Sequence, residues 1–254
     1  MKAALIVHRV VHDAEANLRT ILRRVRQASI AGADLVLFAE AALTGLANND
    51  HPTHDLALGV EVPGRVTERL SSAAVAHGVW LGLGLLEREG THLYDTALLI
   101  TPVGQLGLRY RRMQPQWHSP RADPSVYQQG TELPVLGTPL GRFAFLICGD
   151  LFADPIVERF RALRPDWLLY PLARCFSDGA ADQRRWEEEE LPDYVQRVRR
   201  TGATALMVNY LAERDLQGGA FGGAGVVRPD GEVLASLPLG EEGMLLVDLE
   251  MPAS

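Results

Sequence analysis

From Phe143 onward the chain alternates short apolar runs with amphipathic segments, and this constrains the fold more than any other feature. Phe143–Cys148 reads as a strand, residues 155–163 as a helix, Asp166–Leu172 as a strand, residues 181–200 as a helix, and Ala203–Tyr210 as a strand. That alternation is βαβ in character and points to an α/β sheet. The first half is compatible with it. Ala3–Val7 reads as a buried strand, and Leu18, Ile21, Leu22, Val25 and Ala28 then recur at helical spacing between Asp13, a start signal, and Gly32, a stop. Asp34–Glu40 is an apolar strand ending in a carboxylate, and Val66–His77 carries one apolar helical face. Val79–Leu86, Leu93–Ile100 and Gln105–Arg111 read as successive strands, the last two joined by a hairpin-like turn at Thr101–Gly104. The end of the chain returns to strand at Ala224–Arg228, Val233–Leu237 and Met244–Leu249. Residues 113–139 are polar, rich in Pro and Gln, and aperiodic, so they read as a long loop of the functional kind. With no linker-like stretch and no internal repeat, residues 1–254 read as one domain.

Composition narrows the function classes. A formal charge of −7 and the absence of a basic stripe argue against a nucleic-acid partner. The arginines at 19, 23, 24 and 26 fit a solvated helix face. Two cysteines in 254 residues exclude a disulfide framework and fit a reducing compartment. The chain enters its first strand without a basic leader, and no apolar run reaches membrane-spanning length. The expectation is a cytoplasmic protein with no membrane partner. His51 and His54 have ligand-like spacing but no further ligand set, so no metal is expected. The Gly-rich segment 218–225 lacks the ending of a phosphate loop and reads as a tight turn bordering a pocket. Glu187–Glu190 reads as a solvated helix face, and Trp117, His118 and Tyr127 as residues shaping access to a site.

Three strand-end groups can carry chemistry: Glu40, Arg112 and Cys148. A thiol has a reference pKa near about 8.5 and is only a few per cent thiolate at neutral pH, so it needs a base or a nearby cation. A strand-end carboxylate supplies the base, and a cation holds the oxyanion that forms when sulfur attacks a carbonyl or nitrile carbon. Brought together, the three would be a complete site for covalent acyl chemistry. Cys175 has no such surroundings and reads as non-nucleophilic.

Over nearly its whole length the chain resembles the nitrilase superfamily, the carbon–nitrogen hydrolases. The blocks that carry the likeness are Asp13 with Asn17, Gly32–Glu40, Leu43-Thr44-Gly45, Tyr110-Arg111-Arg112, Cys148-Gly149-Asp150, Val208-Asn209 and Phe221–Gly231. The resemblance implies a four-layer α-β-β-α sandwich, a homodimer or higher homo-oligomer, and no cofactor. It also implies a Glu-Lys-Cys triad acting on a small-molecule amide, nitrile or carbamoyl substrate through a thioester-type intermediate. Carried over, Glu40 is the general base and Cys148 the nucleophile, with Gly149 and Asp150 on the substrate side and the Gly149 N–H facing the oxyanion.

The family's lysine position holds Arg112, and Lys2 is the only lysine in the chain. Arginine keeps the charge and the donors but does not readily give up a proton. The family's second glutamate, after the lysine block, also has no glutamate counterpart here; Asp123 is the stand-in. Two outcomes follow from these departures. One is hydrolysis, amide before nitrile, with acyl transfer to an amine using the same residues. The other is a catalytically impaired ligand-binding or assembly protein on the same scaffold.

Overall fold

The computed structural model describes residues 1–216 and 219–251. Two six-stranded sheets carry the fold. In spatial order the first contains Gly243–Asp248, Lys2–Val7, Leu35–Leu37, Trp80–Glu89, His92–Ile100 and Leu106–Arg111. The second contains Val233–Leu239, Gly222–Val227, Thr204–Asn209, Trp167–Leu172, Gly141–Phe145 and Leu136–Thr138. Each sheet has three neighbouring parallel strands at its centre and antiparallel strands outside them.

The period-two alternation of the strands sets the layering. In the first sheet Ala3, Leu5, Leu35, Leu37, Ala97 and Leu99 face inward, packing with Phe143, Leu169 and Leu206 of the second sheet. Their neighbours Ala4, Ile6, Val36, Phe38, Leu98 and Ile100 face outward, onto Leu18, Ile21 and Val25 of the helix Ala14–Ile30 and Leu70 and Ala74 of Arg65–His77. The second sheet is covered by Val157 and Phe160 of Asp154–Ala162 and by Val198 of Leu191–Thr201. The result is helices, sheet, sheet, helices. Burying each such Leu or Phe contributes roughly 2 kcal/mol, which is why the central strands Leu35–Leu37 and Trp167–Leu172 are apolar and buried along their whole length.

Several expectations need adjustment. The strand expected over Asp34–Glu40 pairs only over Leu35–Leu37, because the backbone then leaves the sheet to turn over Gly84. The helix expected over 181–200 is broken into Gln183–Arg185, a wide i→i+5 turn at Trp186–Glu190, and Leu191–Thr201. Pro192 lacks the N–H that would continue regular i→i−4 bonding, and the wide turn absorbs that break. The segment read as a Gly-rich turn is the strand Gly222–Val227 in its second half, while Gly218 lies outside the described residues. The long loop holds its own core of Trp117, Ala122, Val126 and Tyr127 against Leu86 and Leu93. No helix among the described residues is long and apolar enough to cross a membrane.

Candidate active site

Cys148 sits where the strand Gly141–Phe145 gives way to the short helical turn Cys148–Phe152. Its φ of 43° lies in the left-handed region, which costs a non-glycine residue roughly 1–2 kcal/mol. Asp150 holds the turn in that shape. Its carboxylate accepts from Ile147 N–H at 3.1 Å, Met113 N–H at 3.1 Å, Gln114 N–H at 2.8 Å and Tyr110 O–H at 2.7 Å. Met113 and Gln114 directly follow Arg112, so Asp150 fastens the segment bearing Arg112 to the turn bearing Cys148. Tyr170 adds a second tie, donating its O–H to the Cys148 carbonyl at 2.5 Å.

Glu40 arrives from the other side. After Leu35–Leu37 the chain makes a tight turn, with Ala41 at φ 45°, whose backbone rests on Gly84 of the neighbouring strand. A Cβ at Gly84 would stand 2.6 Å from Glu40 Cα, so only glycine permits the approach. Buried Asn17 anchors the turn's exit by donating to Leu43 O at 2.8 Å.

Arg112 joins the two. Its Nη1 donates to Glu40 Oε1 at 2.8 Å and lies 3.4 Å from Asp95 Oδ2. Its Nη2 lies over Gly149, where a Cβ would meet it at 2.7 Å. All three side chains are buried, Arg112 at 3 % exposure, Asp95 at 1 % and Glu40 at 0 %. A cavity of about 480 Å³ opens over Cys148, Gly149 and Arg112, a size suited to a small molecule. Glu40 and Asp95 lie beneath its floor. Phe152, Tyr194 and Gln116 form part of its wall, as does Arg174, whose guanidinium is held by Glu190 from the wide turn. Asn209 fixes the Arg174 backbone through a pair of hydrogen bonds at 3.1 and 2.9 Å.

The electrostatics follow from burial. Loss of water, reinforced by the Cys148 sulfur and opposed by Arg112, pushes the Glu40 carboxyl up to about 8. Burial and the neighbouring Glu40 push Asp95 well above the carboxylate range, against the pull of Arg112. Burial also raises Asp150, while Arg112 and the hydrogen bonds it accepts pull the other way. For Arg112 burial works against the charge, but Glu40, Cys148, Asp95 and Asp150 outweigh it and the net shift is upward. Arg112 is a fixed cation.

Of the residues singled out in the sequence, Arg112, Cys148 and Gly149 line one cavity, and Glu40 lies directly behind. Asp150 does not face substrate space: it is fully buried and its oxygens are taken by the four donors named above. Asp123 is not brought to the site. It is exposed, and its carboxylate accepts from the N–H and O–H of Ser125 within its own loop. The second acid in the structure is Asp95, which the sequence reading passed over. Its signal was present, a charged residue in the otherwise apolar strand His92–Ile100. Trp117 and Tyr127 form the loop's core instead of the cavity wall. Glu190 departs from the solvated face expected for 187–190 by pairing with Arg174, and Cys175 lines the same cavity as Cys148. His54 turns its Nδ1 to Asp55, and no group of three or more metal-ligating side chains occurs among the described residues.

Residues 2–253 match the family model described as carbon-nitrogen hydrolase. Among curated proteins the chain is 24% identical to Nitrilase 2 of Arabidopsis thaliana, over 95% of this chain and 78% of that one. It is 27% identical to an aliphatic nitrilase of Rhodococcus rhodochrous, over 99% and 75%. Among solved structures it is similar to the amidase from Nesterenkonia sp. AN1, with a TM-score of 0.80 and 25% identity over 98% of this chain and 93% of that one. That structure carries acrylamide added to its active-site cysteine. With the α-β-β-α layering, the match along almost the whole sequence settles the kinship: this chain belongs to the carbon–nitrogen hydrolase family.

Proposed function

We propose that the protein hydrolyses the carbon–nitrogen bond of a small amide through a thioester on Cys148, with Glu40 moving the proton and Arg112 holding the oxyanion. The observation that carries this reading is the position of Arg112 between the other two: Nη1 donates to Glu40 Oε1 at 2.8 Å, and Nη2 fills the space a Cβ of Gly149 would take, on the cavity that Cys148 lines. Both sheets supply the site, Glu40 and Arg112 from one and Cys148 from the other, which supports treating residues 1–254 as one functional unit.

The steps balance within these residues. The reacting form is the one with Glu40 ionised, a fraction that grows as pH approaches about 8: the thiol proton passes to Glu40 as the Sγ–C bond forms and the carbonyl oxygen becomes an oxyanion. Arg112 Nη2 and the Gly149 N–H are the donors placed for that charge. The first hydrogen bond of the short helical turn runs from Asp150 N–H to Ile147 O, so Gly149 N–H lies ahead of it. One such donor contributes about 3–4 kcal/mol to the transition state. Collapse breaks the C–N bond, and the leaving nitrogen takes the proton from Glu40. Water then attacks the thioester, giving one proton to Glu40. The C–S bond breaks and sulfur recovers that proton. Arg112 takes part only as a charge, which fits a residue that does not release a proton.

An amide is favoured over a nitrile because a carboxyl raised to about 8, once it has taken the thiol proton, is an acid matched to a leaving amine near neutral pH. The likeness to the Nesterenkonia amidase over nearly the full length of both chains points the same way. The test is mass spectrometry of the protein mixed with a panel of short amides, with ammonia release in parallel. An acyl adduct on Cys148, absent in Cys148→Ala, and ammonia formation are expected. If Cys148 is alkylated no faster than Cys175 and no amide yields ammonia, the protein is a non-hydrolytic binder and the reading fails.

A further inference from the structure

Two buried acceptors beneath the cavity floor have no donor. Glu40 Oε1 takes Arg112 Nη1 at 2.8 Å, but Oε2 has no hydrogen-bond partner. Asp95 Oδ2 has only the long contact to the same Nη1, and Oδ1 has no partner. The two carboxyl groups close on one nitrogen, Arg112 Nη1, at 2.8 and 3.4 Å, which brings them together in the same buried space. One guanidinium cannot neutralise both, least of all with Asp150 nearby as a third acid. Two facing carboxylates in a dry site share a proton rather than both ionise. The shorter contact to Arg112 belongs to Glu40, so the retained proton belongs on Asp95.

We propose, resting on the reading of Glu40 above, that Asp95 is a positioning residue that works in its protonated form, donating its carboxyl O–H to Glu40 Oε2. Glu40 is thereby fixed in orientation, and the proton it exchanges is the one it shares with Cys148. Asp95 never touches substrate. The titratable groups around it fit this assignment. Glu40 comes from the turn after Leu35–Leu37, Arg112 and Tyr110 from the strand Leu106–Arg111 and its exit, and Cys148 and Asp150 from the turn after Gly141–Phe145. Tyr110 is engaged on Asp150, so it gives Asp95 no competing donor. Burial and the negative neighbours both hold the proton on Asp95. A neutral carboxylic acid working as a donor in an apolar site has precedent in general enzymology.

The test compares Asp95→Asn and Asp95→Leu in the full-length protein, following the rate of Cys148 alkylation by iodoacetamide against pH, with amide hydrolysis in parallel. Asn presents an N–H to Glu40 Oε2 without a charge, so its alkylation rate and pH midpoint should stay within about threefold and half a unit of wild type. Leu supplies no donor, so its rate should fall about tenfold or more and its midpoint should move by at least about one unit. Infrared difference spectra at about pH 9, above the release of the Glu40 proton, should keep a protonated carboxylic acid C=O band in wild type that Asp95→Asn lacks. That measurement stands even if the Leu variant does not fold. A midpoint lowered by about one unit or more in Asp95→Asn, or no band lost, would show Asp95 to be an ionised counter-ion of Arg112 and overturn the proposal. Absence of hydrolysis with the expected alkylation and infrared behaviour would sink the amidase reading alone.

Discussion

Glu40→Gln should make the protein more stable, and increasingly so as the pH rises. A buried carboxyl whose folded pKa stands at about 8, against 4.5 for the free side chain, is a standing cost to the fold. Below about pH 4.5 the group is protonated in both states and costs nothing. Between there and about 8 the unfolded chain releases a proton that the folded protein retains, so stability falls by about 1.4 kcal/mol per pH unit. At pH 7 the accumulated loss is about 3 kcal/mol, and it levels off near 5 kcal/mol above about pH 8. Glutamine carries no such dependence. Losing the Arg112 contact adds an offset, but that offset does not vary with pH, so the slope is the quantity to read. Urea unfolding of wild type and Glu40→Gln at about pH 5, 6, 7, 8 and 9 gives it directly. At pH 7 the gap attributable to titration corresponds to roughly 6–12 °C in Tm for a chain of this size. Stability curves that run parallel across this range, or a gap that closes as pH rises, would refute the argument that Glu40 keeps its proton in the folded state. The variant should lose amide hydrolysis while gaining stability, the trade expected of a strained site.

The same proton predicts two pH profiles that move together. Amide hydrolysis and alkylation of Cys148 should both rise as pH approaches about 8, because Glu40 must be ionised to take the thiol proton it later passes to the leaving nitrogen; rates that fall over this range would refute Glu40 as the base. Gly149→Ala puts a Cβ 2.7 Å from Arg112 Nη2 and 3.3 Å from Gln116 Oε1; kcat should fall roughly 10²–10³-fold with the unfolding midpoint nearly unchanged. If kcat survives, the Arg112 guanidinium is not the oxyanion donor. Tyr110→Phe removes one of the four donors to Asp150 and should destabilise the fold by roughly 1–3 kcal/mol, measured in urea. An unchanged midpoint would mean Asp150 does not hold the turn.

The parts of this fold that were legible in the sequence are those written in short-range pattern. The alternation after Phe143, the Asp13 cap whose carboxylate accepts from Glu15 and Ala16 N–H, and the apolar strands on either side all follow from local periodicity and capping. What was not legible depends on contacts far apart in the chain. Asp123 looked like the second acid because it lies in the loop after Arg112, but its nearest donors are two residues away in Ser125 and they satisfy it there. Asp95 lies 17 residues before Arg112 in sequence and reaches it only because adjacent strands pair, with Arg112 N–H donating to Asp95 O at 2.8 Å. The broken helix at 186–190 shows the same limit: Pro192 announces an interruption, but not that the wide turn would aim Glu190 at Arg174.

Cys-Gly-Asp does more than place a thiol at the end of a strand. Both functional turns adopt left-handed backbone at a non-glycine residue, Cys148 on one sheet and Ala41 on the other, and each would relax if released. Four donors to Asp150 oppose relaxation on one side, and the seat on Gly84 opposes it on the other. Met113 and Gln114 are among those donors, so the strain at the sulfur and the position of the guanidinium are set by a single buried carboxylate. Loosening Asp150 would therefore shift the nucleophile and the cation together, and Arg112 Nη2 lies so near Gly149 that a Cβ there would meet it at 2.7 Å, which leaves little room for either to move alone. The site is held as one rigid unit across the two sheets, which is why a buried aspartate outside the substrate cavity belongs to its working parts.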